Sequence, residues 1–248
     1  MPSQASSTIQ PPCLVLLHGA LNDHSVWARQ IEALTARGIA VLAPDLPGHG
    51  GDAAPALASI EQMAAWLLGM LDTEGIAHAM LVGHSMGSLV ALEAAFQAPE
   101  RVHGLALLGS TWPMTVAPSL LETALHDQPA AIAMVSKWSH APGTPAATLA
   151  ATHALMQGLA AAGPAHLLHT DLAACNAYAN GETAARGIGC PTLLIVGTVD
   201  KMTPPRSTTV LRAALARAST VEIAAGHQMM AEQPDAVSGA LCDFALAS

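Results

Sequence analysis

Short apolar runs recur along the chain with stretches of helical spacing between them, and this alternation restricts the fold more than any other feature. The runs are Cys13–Leu17, Ala40–Ala43, Ala79–Val82, Val102–Leu108, Thr192–Val196 and Thr220–Ile223. Each has strand length and reads as apolar on both faces, as a strand must when helices cover both sides of its sheet. Between most of them, Ser25–Arg37, Ser59–Glu74, Ser88–Ala98, Pro205–Arg217 and Glu232–Ala245 carry helical spacing, Pro or Gly punctuation, or an N-terminal start signal. Strands joined through helices need crossover connections, so the pattern predicts an α/β chain with a doubly wound, mostly parallel sheet. A length of 248 residues suits one such core with a large interior.

One interval breaks the rhythm. From Thr111 to Ala185 no strand pattern appears, only Ala, Leu, His and Met interrupted by prolines such as Pro118, Pro129, Pro145 and Pro164. Several short helices inserted between two sheet strands are the simplest account. The expected division is therefore a core of residues 1–110 and 186–248 with a helical cap insertion over 111–185.

Composition narrows the function classes. Nine Lys plus Arg against eighteen Asp plus Glu give a formal net charge of −9, a poor surface for phosphate backbones or anionic lipid heads, so neither nucleic acid nor a membrane is expected as a partner. No apolar stretch reaches the roughly 20 residues that cross a bilayer. The segment from Met1 to Cys13 is Ser, Gln and Pro rich without an apolar core, and does not read as a secretory signal. Cys13, Cys175, Cys190 and Cys242 are widely spaced and form no CxxC pair. Buried free thiols in a reducing cytoplasm are the expectation.

The sharpest local signal is Gly83-His84-Ser85-Met86-Gly87, directly after the apolar run Ala79–Val82 and before a helical stretch. It matches G-x-S-x-G in the strand–turn–helix setting that the motif requires. A tight elbow there forces the serine into a strained backbone conformation and lifts its hydroxyl above the sheet, near helix amides that favour developing negative charge. Ser85 is the candidate nucleophile.

With these residues the chain resembles the α/β-hydrolase superfamily over nearly its whole length. Leu16-Leu17-His18-Gly19-Ala20 is similar to the family's strand-ending HG loop, and Pro44-Asp45-Leu46-Pro47-Gly48-His49-Gly50 to its D-x-x-G-x-G turn. Family members often open with an antiparallel strand pair, for which the residues before Cys13 leave little room, so those strands are expected to be missing or vestigial.

A serine hydroxyl needs a general base within hydrogen-bond reach and a third group to fix that base's tautomer. In this fold the order is Ser, acid, His. Beyond His169 there is one histidine, His227, and Asp200 is the single carboxylate between Glu182 and Glu222, just past the Thr192–Val196 run. Gly197-Thr198-Val199-Asp200-Lys201-Met202-Thr203-Pro204 also resembles the family's G-x-x-D-x-x-T-P segment. The alternative acid site after the preceding strand is barren, because Gly109 to Leu121 holds no Asp or Glu. The resemblance implies an oxyanion hole from the backbone N–H groups of Met86 and Ala20, with His18, Gly19 and Asp45 shaping loops.

Twelve histidines invite a metal reading, but no H-E-x-x-H or comparable ligand pair occurs, and no Rossmann glycine motif or P-loop is present. Neither a metal nor a cofactor is expected. The resemblance implies hydrolysis of a small-molecule carboxylic ester through an acyl-serine. Thioesterase, amidase, C–C hydrolase, perhydrolase or acyltransferase and hydroxynitrile-lyase-like activities use the same triad, and slow-turnover ligand receptors share the fold. Epoxide hydrolases and dehalogenases use an Asp nucleophile, which Ser85 argues against. Trp112, Met114, Met134, Trp138 and Tyr178 are the candidate pocket wall. The insertion carries one basic residue, Lys137, against Glu122, Asp127, Asp171 and Glu182. That balance predicts neutral, mainly apolar esters rather than carrier-linked or carboxylate-bearing ones.

Overall fold

The computed structural model describes residues 13–51 and 54–247. The expectations about a leader and a vestigial first strand pair concern residues outside these. Six strands, β1 (Cys13–Leu17), β2 (Val41–Leu42), β3 (Ala79–His84), β4 (Val102–Leu108), β5 (Thr192–Gly197) and β6 (Ala218–Ile223), form one parallel sheet in the order β2-β1-β3-β4-β5-β6. Around them run α1 (Ala28–Thr35), α2 (Ile60–Thr73), α3 (Met86–Gln97), then α4 (Pro118–His126), α5 (Gln128–Trp138), α6 (Ala146–Ala162), α7 (Leu167–Ala177) and α8 (Gly181–Gly187), and finally α9 (Thr209–Ala214), α10 (Met229–Glu232) and α11 (Pro234–Ala247).

The two-residue period of a strand sorts the core into two layers. Val15, Leu17, Leu81, Leu105, Leu107, Leu194 and Val196 face one side, where α2, α3, α8 and α9 supply Leu67, Leu89, Ala184 and Leu211. Their neighbours Leu14, Leu16, Met80, Val82, Ala106, Leu108, Leu193 and Ile195 face the other, against Leu34, Met229 and Leu241. Continuous apolar runs are thus what a sheet covered on both faces demands. The edge strand β6 departs from that pattern, since only Ile223 of it is fully buried.

Local chemistry fixes the ends. Ser59 caps α2 by accepting the Gln62 N–H at 3.2 Å. The helix expected from Ser88 begins at Met86, because Ser85 is itself the residue before the first turn and Gly87 lies within it. The helix expected over Pro205–Arg217 stops at Ala214, and β6 begins at Ala218 rather than Thr220. Pairing of Ala218 with Thr192 recruits those polar residues into the ladder, a long-range effect that local pattern does not carry.

The chain moves from β1 outward to β2, then returns to place β3 on the opposite side of β1. Such a reversal opens a crevice at the carboxyl ends of the two strands, the usual ligand position in open α/β sheets. The loop after β1 begins with His18-Gly19-Ala20 and the turn after β3 carries Ser85.

Helices α4 to α8 all lie between β4 and β5. Leu120, Ile132, Val135, Met156, Leu159, Leu167 and Leu168 form a third apolar cluster, joined by Leu21 from the loop after β1. The end of this segment belongs to the sheet: Cys175, Tyr178, Ala184 and Ala185 sit in the first core layer. Among the described residues no helix is long and apolar enough to cross a membrane.

Candidate active site

Ser85 joins β3 to α3 with φ +52° and ψ −118°, a conformation that L side chains avoid unless the surroundings impose it. Its N–H donates to Leu108 O at 2.9 Å, which ties the elbow to β4. The flanking glycines are required by space. A Cβ on Gly83 would lie 2.2 Å from the Gly87 carbonyl oxygen, and one on Gly87 would lie 2.5 Å from the carbonyl oxygens of Leu17 and His18. Only bare backbones let α3 start so close to the ends of β1 and β3.

Asp200 follows β5 and is almost wholly buried, as is His227 in the loop after β6. His227 Nδ1 donates to Asp200 Oδ2 at 2.8 Å. The same oxygen accepts the Thr203 hydroxyl at 2.7 Å, while Oδ1 accepts the N–H groups of Met202 and Thr203 at 2.7 and 2.9 Å. Burial alone would raise the Asp200 carboxyl, but the His227 ring and these donors outweigh it and hold the group well below the usual carboxylate range. With its proton committed at Nδ1, a neutral His227 keeps Nε2 as a lone pair.

Two further anchors hold the His227 loop. Glu232 Oε2 accepts from Gly226 N–H and Ala141 N–H at 3.0 and 3.1 Å, and Gln228 N–H donates to Ser139 O at 3.0 Å. His84 Nε2 lies 2.9 Å from the His227 carbonyl oxygen. Burial, then the neighbouring His227, push the His84 pKa down to about 3.

The loop after β1 is clamped as well. Leu46 N–H donates to His18 Nε2 at 3.0 Å, which leaves Nδ1 as the donor to Gly19 O at 2.9 Å. Asp45 accepts the His24 N–H at 2.7 Å and so joins its turn to that loop. From α7, the fully buried Asp171 accepts Leu21 N–H at 2.8 Å and meets His49 Nε2 at 2.9 Å. The N–H groups of Ala20 and Met86 have no hydrogen-bond partner among the described residues.

Ser85, His227, Ala20 and Thr203 line one cavity of about 240 Å³. Its wall adds Met114, Trp138, Leu120, Leu172 and Cys175 from the segment between β4 and β5, and Lys201 from the Asp200 loop. Of the wall residues expected from sequence, Met114 and Trp138 stand there. The other three do not. Trp112 packs against the sheet core and Gly181, Met134 against the third cluster, and Tyr178 donates its hydroxyl to Glu93 Oε2 at 2.7 Å. Amphipathic aromatic side chains serve burial and anchoring as readily as pocket lining, and sequence does not separate the two. Thr203, Asp171, Glu232 and Lys201 were not singled out from sequence for the site. Only Thr203 carried a signal, its place in the G-x-x-D-x-x-T-P segment.

The alpha/beta hydrolase family model matches residues 14–240. The chain belongs to the α/β-hydrolase family. Over 96% of its length it superposes on 92% of the enol-lactonase from Burkholderia xenovorans LB400, with a TM-score of 0.83 and 27% identity. Shorter matches are closer in sequence. The dihydrolipoyllysine-residue acetyltransferase component of the acetoin cleaving system of Pseudomonas putida is 43% identical over 99 residues, 39% of this chain and 26% of that protein. The pimeloyl-[acyl-carrier protein] methyl ester esterase of Nitrosomonas europaea is 36% identical over 118 residues, 44% of this chain and 45% of that one. The chain thus spans only a quarter to under half of these two curated relatives. Among the described residues no group of three or more His, Cys, Asp or Glu gathers as a metal cluster.

Proposed function

We propose that this α/β hydrolase cleaves carboxylic esters through an acyl-serine formed on Ser85. The observation that carries the reading is the shared cavity: the strained elbow serine and a histidine fixed by a buried carboxylate line the same apolar-walled space. Ser85 Oγ attacks the ester carbonyl while His227 Nε2 takes the hydroxyl proton, and Asp200 stabilises the imidazolium so formed. The N–H groups of Ala20 and Met86 hold the oxyanion. Collapse breaks the bond to the alcohol, which leaves with the proton from His227. Water then repeats the sequence on the acyl-serine, releasing the acid and restoring Ser85.

The apolar wall of Met114, Leu120, Leu172 and Trp138 and the net charge of −9 favour neutral, mainly apolar substrates. One observation favours a second reading. Lys201 lines the cavity, is exposed, and makes no ion pair among the described residues, so it suits an ester whose far end bears a carboxylate. The charge argument from the insertion missed it because Lys201 lies outside that segment. A panel of activated neutral esters tests the main reading: sustained turnover is expected, and a single burst stoichiometric with protein would mean a slow-turnover receptor.

A further inference from the structure

A second, smaller cavity of about 40 Å³ is also lined by Ser85 and His227. Asn22, His84, Ser85, Ser139, His227 and Gln228 are among its lining residues. Two of these carry a buried acceptor with nothing to accept from. Asn22 is 4% exposed; its Nδ2 donates to Ala20 O at 3.0 Å, and its Oδ1 has no partner among the described residues. His84 is 1% exposed. Its Nε2 faces the His227 carbonyl oxygen, which can only accept, so Nε2 carries the hydrogen of the neutral ring and Nδ1 is a bare lone pair. That Nδ1 also lacks a partner, and it lies beside the side of Gly19 that has no Cβ: a carbon added there would sit 3.1 Å from it. Gly19 lines the same cavity.

Buried acceptors left unpaired are costly, and two of them belong to residues that line one small space beside the nucleophile, an arrangement that suits recognition of a donor. Both want a donor. A water needs roughly 10–15 Å³ of such space, so this cavity holds about three or four non-hydrogen atoms. We propose that it is a subsite for a small neutral hydrogen-bond donor, either a short hydroxyl-bearing arm of the substrate next to the scissile carbonyl or the water that attacks the acyl-serine. In the second case the water oxygen bonds to the acyl carbon, its proton passes to His227 Nε2, and the carbon–Oγ bond breaks as that proton moves to Ser85. The inference rests on the ester reading above.

Two arms separate the sources. In the first, p-nitrophenyl hydroxyacetate and p-nitrophenyl propionate, near isosteres, are compared in the parent, in Asn22→Leu and in Asn22→Asp, each ratio corrected for the uncatalysed rates. A substrate-borne donor predicts a preference for the hydroxyl of about tenfold or more in the parent. Asn22→Asp, which retains an acceptor, should keep that preference and Asn22→Leu should lose it. In the second arm, stopped-flow with the propionate ester resolves acylation from deacylation. A water site predicts no hydroxyl preference, with Asn22→Leu slowing deacylation about tenfold more than it slows the burst, whose rate registers the loss of the Nδ2 bond to Ala20 O. The parent alone keeps the first arm decisive where a variant fails to fold, and methanol in place of water as acceptor does so for the second: a water site should accept methanol and exclude 1-butanol. Absence of both the hydroxyl preference and any selective effect on deacylation would overturn the subsite. A parent that turns over neither ester would overturn the ester reading itself.

Discussion

At the scale of single residues the proposed chemistry gives Ser85, His227 and Asp200 separate tasks, and each makes a separate demand. Ser85→Ala removes the nucleophile but leaves the amides and the cavity, so kcat should fall by about 10⁴–10⁶ with the fold retained. Circular dichroism and steady-state rates check both halves; a variant that keeps most of its activity would move the nucleophile elsewhere. Asp200→Asn should cost kcat about 10³–10⁴, because an amide in place of Oδ2 cannot stabilise the imidazolium and upsets the tautomer that Nδ1 donation fixes. A loss below tenfold would mean another acid. As candidates these three residues were readable in the sequence because competitors were scarce, with one histidine after His169 and one carboxylate between Glu182 and Glu222, and the structure brings them together. The supporting residues were not: Asp171 acts on a loop 150 positions away in the chain, and Glu232 ties the nearby Gly226 to Ala141, 91 positions away.

At the scale of elements, the substrate-facing loops are held by contacts that cross from the helices between β4 and β5 to the sheet. Asp171 on α7 is the clearest. Asp171→Ala strands Leu21 N–H and His49 in a buried site and should destabilise the fold by about 3–5 kcal/mol, read by urea unfolding. It should also lower kcat more than KM, since Ala20 adjoins Leu21 in the loop that the carboxylate holds. His49 adds a pH dependence. Burial works against its charge, but the Asp171 carboxylate and their hydrogen bond outweigh that, so its pKa is raised above 6.5. Its contribution to stability is complete below the unfolded value of 6.5 and is lost as pH rises through the higher folded value. The Tm of the parent should therefore fall over that interval by more than the Tm of His49→Gln, and parallel curves would show that the pair does not titrate there. The strands and most helices were readable because period and apolarity are local properties. The start of β6 and the end of α9 were not, since pairing with β5 sets them.

At the scale of the whole molecule, strand order reverses at β1, between β2 and β3, and the segment between β4 and β5 lines the cavity beside Ser85 with apolar side chains. The composition of that segment was readable, but which of its residues line the cavity was not, because Trp112, Met134 and Tyr178 are held by contacts with other elements. On the proposed ester reading, charge sets the preference among substrates. A neutral aryl ester should show a higher kcat/KM than its ω-carboxylate analogue of equal length at low ionic strength, where repulsion by the net charge is least screened. The opposite preference, abolished in Lys201→Met, would establish the carboxylate reading instead. The claim beneath all of this is that one serine carries the acyl group, and the intact mass of the protein tests it most directly. After reaction with an aryl phosphonate the whole chain should gain a single adduct, and peptide mapping should place it on Ser85 and find none in Ser85→Ala. An adduct mapped to any other residue, or undiminished labelling of Ser85→Ala, would contradict the account.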